Sequence, residues 1–166
     1  MSNITSANNQ IIKVIGFGNI MMGDDGIGVR VIEEIQKNAI FADYKNIEVI
    51  DGGTSGVDLV FMIQQADKAI IIDAIDAGQE TGQVIIFTPE NIKDIKKKKN
   101  GLKSFSLHDL DLAEVFELIK TLNIPVKMNI VGVKPKFVGY SDKLSPEIEK
   151  AIPGLISAVK ELAICK

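Results

Sequence analysis

The sequence predicts an α/β fold, a three-layer α/β/α sandwich around a twisted, mostly parallel (mixed) sheet. Three observations predict it. Short apolar runs alternate with stretches of helical periodicity along the whole chain. One run, KAIIIDAI (Lys68 to Ile75), is apolar almost throughout, as a strand covered on both faces must be. A glycine-rich turn, GFGNIMMGDDGIG (residues 16–28), joins the first run to the first helical stretch, as in open α/β sheets.

Taken in order, IIKVIGF reads as the first strand. From Gly26 to Lys37, Ile27, Val31, Ile32 and Ile35 share one helical face. NIEVID (Asn46 to Asp51) is a second strand ending in the turn GGTSG, and Val57 to Ala66 a second helix. After the strand at Lys68 to Ile75, a hairpin-like turn through Asp76 to Gly82 leads into a fourth strand, Thr81 to Pro89. Glu90 to Lys103, with its Lys96 to Lys99 run, reads as an exposed, mobile excursion. A solvated face explains these lysines better than a nucleic-acid patch, since no aromatics are interleaved. A third long helix is expected over Leu107 to Leu122, with Ser106 as N-cap and Asp109 three residues on. VKMNIVGVKP is the last strand. Ser145 then caps a C-terminal helix with Pro146 at its first position.

The 166 residues carry no linker, repeat or composition break, so we expect a single domain over 1–166. A net charge of -3 argues against bulk nucleic-acid or anionic-membrane binding. No apolar run approaches the roughly 20 residues that cross a bilayer. The polar start, MSNITSANNQ, lacks a signal-peptide pattern, and we expect a cytoplasmic protein. Cys165 is the only cysteine, which excludes an intrachain disulfide and a multi-cysteine zinc site.

The glycine turn poses a choice between a phosphate and a cation. Gly16 and Gly18 fit a dinucleotide fingerprint, but Met21 occupies the third glycine position, and no Gly-Lys-Ser/Thr follows. Asp24 and Asp25 would repel a pyrophosphate and attract a cation. One of them could instead cap the following helix. Sites in open sheets lie outside the carboxyl ends of the strands. Asp73 lies there, inside an apolar run, where a carboxylate is costly unless paired, hydrogen-bonded or metal-bound. Asp51 ends the second strand; a turn-capping role and a direct role are both open. Asp76 reads as a loop residue. His108, the only histidine, has a surface or capping role by default. Two carboxylates and one imidazole, Asp25, Asp73 and His108, form a facial metal site if the element ends meet.

In order and spacing, GFGNIMMGDDGIGVRVIEEI, VIDGGTSGVDLV, AIIIDAIDAG, SLHDLDLAEVF and IVGVKPKF resemble the nickel-iron hydrogenase maturation endopeptidases, over most of the chain from Ile12. The resemblance implies a three-layer sandwich and a processing endopeptidase. Its substrate would be a nickel-iron hydrogenase large-subunit precursor, whose C-terminal extension is removed after nickel insertion. It places the family's metal ligands on Asp25, Asp73 and His108, with Asp51-Gly52-Gly53-Thr54 lining the same cleft. The nickel would be borne by the substrate, and no organic cofactor is implied. Asp24 or Asp51 would serve as general base. The lysine-rich loop before His108 matches nothing in the family. We expect a monomer. Three other readings stand beside this one: a nucleotide-binding α/β domain, a non-catalytic metal or hydrogenase-subunit binding protein, and a peptidase of similar fold acting on unrelated proteins such as spore proteins.

Overall fold

The computed structural model describes residues 10–94, 106–107 and 110–165. The strands are β1 (Ile12–Phe17), β2 (Ile47–Gly53), β3 (Lys68–Ala74), β4 (Val84–Phe87), β5 (Ser106–Leu107), β6 (Leu110–Asp111) and β7 (Lys127–Val133). The helices are α1 (Ile27–Lys37), α2 (Leu59–Met62), α3 (Leu112–Thr121), α4 (Pro146–Glu149) and α5 (Ile152–Ile164). Five strands form one sheet in the order β2-β1-β3-β7-β4, and β5 and β6 pair separately as an antiparallel couple. β1, β2, β3 and β7 are parallel, and β4 runs antiparallel along β7 at one edge. The sheet is therefore the mixed, mostly parallel one that the sequence predicts.

Each face of the sheet carries its own core, and strand alternation sorts the residues. Val14, Ile70, Ile72 and Val131 pack with Ile27, Val31, Ile32 and Ile35 of α1 and Leu155 and Val159 of α5. Ile15, Phe17, Ile71 and Ile130 pack with Leu59 and Val60 of α2 and Leu112, Val115, Phe116 and Ile119 of α3. Helices on both faces explain why β3 is apolar at almost every position.

The chain order reverses between β1 and β3. β2 follows β1 on one side, and β3 returns to the other. The carboxyl ends of β1 and β3 thus flank the crevice in which open α/β sheets hold their ligands. Gly28, in the first turn of α1, makes the close packing there. A Cβ on it would meet the carbonyl oxygens of Phe17 and Ile72 at 2.2 and 2.3 Å. The tight helix-on-strand contact that a dinucleotide fingerprint assigns to its third glycine is here made by Gly28, seven residues beyond Met21.

Several elements differ from expectation. The helix expected over Val57 to Ala66 is a 3-10 turn (Gly56–Asp58), then α2 of 4 residues. Gln65 closes it with a φ of 63°, which no continuing helix accommodates. α3 starts at Leu112 rather than Leu107, because Ser106–Leu107 and Leu110–Asp111 pair as strands. Ser106 is therefore not its N-cap, and Asp109 lies outside the described residues. The expected excursion begins with a 3-10 turn at Pro89–Asn91, closed by a capping box between Thr88 and Asn91. Residues 95–105, including the lysine run, lie outside the described residues. The C-terminal helix is split into α4 and α5, and Pro153 stands at the start of α5, where its missing N–H costs nothing. Among the described residues, no helix is long and apolar enough to cross a membrane.

Candidate active site

Among the described residues three carboxylates are buried, and all three lie near the β1–β3 crevice: Asp24 at 0 %, Asp25 at 1 % and Asp73 at 1 % exposure. The first two sit in a 3-10 turn, Asp24–Gly26, that turns the chain from β1 into α1. Gly18 makes this turn feasible. Its φ of 140° and its approach to the Asp25 carbonyl leave no room for a side chain. The N-cap of α1 is Gly26, with no side-chain bond, so neither aspartate caps that helix.

The neighbouring carboxylates face different surroundings. Asp25 accepts the Asn19 N–H at 3.0 Å. Asp24 turns toward the loop after β7. One of its oxygens accepts the backbone N–H groups of Lys136 (2.9 Å) and Phe137 (2.8 Å) and the Ser145 hydroxyl (2.9 Å). The other accepts the Ser145 N–H at 2.6 Å. Three donors thus converge on one oxygen and one on the other, which fastens this carboxylate to the loop after β7.

Asp73 is the next-to-last residue of β3, level with Gly132 of β7. It accepts the Ala74 N–H at 2.8 Å. Burial holds its carboxyl well above the usual aspartate range, and the charge on Asp25 raises it further. Asp25 and Asp73 therefore lie close enough for their charges to interact. His108 lies outside the described residues. Its chain neighbours Ser106–Leu107 form β5, which lies against β3. Among the described residues, no group of three or more His, Cys, Asp or Glu side chains is arranged to hold a metal ion.

Asp51 lies in β2, level with Gly16 of β1. It accepts the Gly53 N–H at 2.8 Å and so holds its own turn. Val49 packs in the α1 core and Ile71 in the α3 core. By alternation, Asp51 shares the face of Val49, and Asp73 the face of Ile71. Asp76 is a loop residue as expected, accepting the Gly78 N–H at 3.0 Å and pairing with Lys134. A cleft of about 750 Å³ opens elsewhere, between Thr88, Lys93, Phe116, Lys120 and the amino end of β7. It holds none of the three buried carboxylates.

Sequence reading missed the loop after β7. Ser145 does precede α4 with Pro146 at its first position, but its hydroxyl bonds Asp24 rather than the helix. Nothing local signals this, since the partners are 121 residues apart. The same loop carries Phe137, Val138 and Tyr140 exposed to solvent.

The fold and site together define the class: an open α/β sheet with a buried acidic pair at its switch point. Comparison with known proteins gives that class its family. The hydrogenase maturation protease family model, HycI, matches residues 29–162. Hydrogenase 2 maturation protease of Escherichia coli is 32% identical over 159 residues, covering 92% of this chain and 93% of that protein. The hydrogenase expression/formation protein HupD of Bradyrhizobium diazoefficiens is 32% identical over 162 residues, covering 96% and 81%. The structure of the hydrogenase maturating endopeptidase HybD from E. coli superposes with a TM-score of 0.74 at 29% identity, covering 91% of this chain and 90% of that one. The HycI maturation protease of Thermococcus kodakarensis gives 0.69 at 25% identity, covering 91% and 90%. The chain belongs to the hydrogenase maturation protease family. It is an endopeptidase, and so a hydrolase.

Proposed function

We propose that this protein removes the C-terminal extension of a nickel-iron hydrogenase large-subunit precursor after nickel insertion. In this reading Asp25, Asp73 and His108 receive the nickel carried by the substrate. The observation that carries it is the buried, mutually repelling pair Asp25 and Asp73 at the switch point of the sheet. Two carboxylates buried together are costly unless a proton or a cation joins them. An incoming divalent ion relieves the repulsion, so binding energy arises only when the precursor is loaded. Two oxygen donors and an imidazole suit nickel, and three protein ligands leave positions for the substrate's own.

The reading gives Asp24 and Asp51 structural roles. Asp24 holds the loop after β7 through four hydrogen bonds, and Asp51 holds its own turn. A bound divalent ion supplies carbonyl polarisation or water activation. Asp25 and Asp73 then fix where the scissile peptide lies relative to it.

The test is the intact mass of a nickel-loaded, unprocessed precursor incubated with the protein, beside the same precursor without nickel. Loss of a C-terminal peptide from the loaded form alone is expected. An unchanged mass of the loaded precursor refutes peptidase action on it and leaves the binding-only reading. His108→Ala, checked for fold by circular dichroism, should leave the precursor uncut. Normal cleavage by that variant removes His108 from the site.

A further inference from the structure

We infer that Asn19 is a positioning residue, which holds the carboxylate of Asp25 in the orientation from which, with Asp73, it receives a cation. The inference rests on the reading of Asp25 proposed above and names a residue of the glycine turn outside its three ligands. Three groups of Asn19 each hold a partner. Its backbone N–H donates to Asp25 Oδ2 at 3.0 Å. Its side-chain Oδ1 accepts the Met21 N–H at 2.9 Å, and its carbonyl accepts the Met22 N–H at 3.0 Å. The last two close the turn that begins at Asn19 twice, once through the side chain and once through the backbone. The bond to Asp25 joins this turn to the 3-10 turn Asp24–Gly26. The two turns also pack closely, since a Cβ on Gly26 would meet the Ile20 Cα at 2.7 Å and the Asn19 carbonyl at 3.0 Å.

The peptide that carries the Asn19 N–H follows Gly18, whose φ of 140° lies where glycine moves freely. Gly18 supplies the bend but no side chain to fix it. Its N–H donates to the Gly53 carbonyl at 2.9 Å on one side of the bend, and the doubly closed turn at Asn19 fixes the other. The Asn19 N–H is thereby aimed at one Asp25 oxygen before a substrate arrives. A hydrogen bond to an ionised carboxylate is among the stronger kinds, and locked supporting groups hold a site's geometry to within about 0.5 Å. Charge bears on the side chain as well. Aspartate closes such turns as asparagine does, but it would add a third carboxylate near Asp25 and Asp73. The amide oxygen of Asn19 closes the turn without one.

Asn19→Ala removes the side-chain acceptor and leaves the backbone N–H, and Asn19→Ser restores an uncharged acceptor for the Met21 N–H. Two readouts separate positioning from general support of the fold. The first is the Asp25 χ1 rotamer, read from three-bond couplings in the isotope-labelled protein alone. The second is Kd for the nickel-loaded precursor by biolayer interferometry, with Asn19→Ala made in the wild-type chain and in an Asp25→Ala chain. Wild type is expected to show one Asp25 rotamer. Asn19→Ala should show an average over several and a Kd raised about tenfold or more, with circular dichroism unchanged, and Asn19→Ser should return both toward wild type. In the Asp25→Ala chain, Asn19→Ala should change Kd by less than about twofold. A single, unchanged Asp25 rotamer in Asn19→Ala overturns the inference. So does a Kd that rises as much without Asp25 as with it, since Asn19 then acts elsewhere. An averaged rotamer with Kd unchanged keeps Asn19 as the holder of Asp25 and refutes the cation-receiving role of Asp25. Wild-type protein that does not bind the precursor refutes that reading too, and the rotamer by itself then decides what Asn19 does.

Discussion

Asp24 and Asp25 are neighbours, both buried, yet they serve different parts of the molecule. Asp24 satisfies three backbone N–H groups and a hydroxyl from the loop after β7. Asp24→Ala strips those donors of their shared acceptor, a side chain that is itself fully buried. We expect a loss of at least about 2 kcal/mol in urea denaturation; a change within error would show that the loop is held by other contacts. Asp73 carries the opposite expectation. Its folded carboxyl is raised by burial and by Asp25. A carboxyl raised on folding binds its proton more tightly in the native state. Its contribution is present below the ordinary value near 3.8 and is lost as pH rises through the elevated one. Asp73→Asn removes that loss. The variant should be more stable than wild type at neutral pH by about 0.5–2 kcal/mol, with the gap shrinking toward pH 4. Thermal melts in EDTA across that range check it. The same variant should fail to process the precursor.

At the scale of elements, the packing of α1 on the sheet is set by one residue without a side chain. Gly28 lies against the backbone of Phe17 and Ile72. Gly28→Ala forces the helix away from both strands and should cost about 1–3 kcal/mol or more, read as a fall in Tm. Gly154 in α5 is the contrasting case, since a Cβ there would meet only a Val84 methyl at 4.0 Å. Gly154→Ala should raise stability by about 0.5–1 kcal/mol. If both substitutions had the same sign, close backbone approach would not be what selects glycine at residue 28.

Across the whole molecule, one sheet is shared by two cores, and β1, β3 and β7 lie at its centre. Their amides are covered on both faces and paired on both sides. Hydrogen exchange should be slowest at Ile70, Ile71 and Ile72, proceeding there only by global unfolding. The edge strands β2 and β4 should exchange faster. A β3 that exchanged as readily as β4 would mean that the two layers open separately.

Composition and periodicity determined much of this protein unaided. The apolar runs set the strands, because a doubly covered sheet needs apolar residues on both faces. The 3.6-residue stripe over Ile27, Val31, Ile32 and Ile35 set α1, and all four are buried. Asp25 and Asp73 were legible as a pair because a carboxylate inside or beside an apolar run must answer for its burial. Helix bounds were less legible. α2 stops where Gln65 takes a positive φ, and the start of α3 yields to the pairing of β5 with β6. Only the tertiary structure separated Asp24 from Asp25, moved Asp51 to the other face and tied Ser145 to the first loop. Those facts depend on groups more than a hundred residues apart or on which side of a sheet a residue falls. Periodicity reports the face that a local segment buries. It is silent about which distant donor a buried carboxylate will meet, because that is fixed only when the strands take their order.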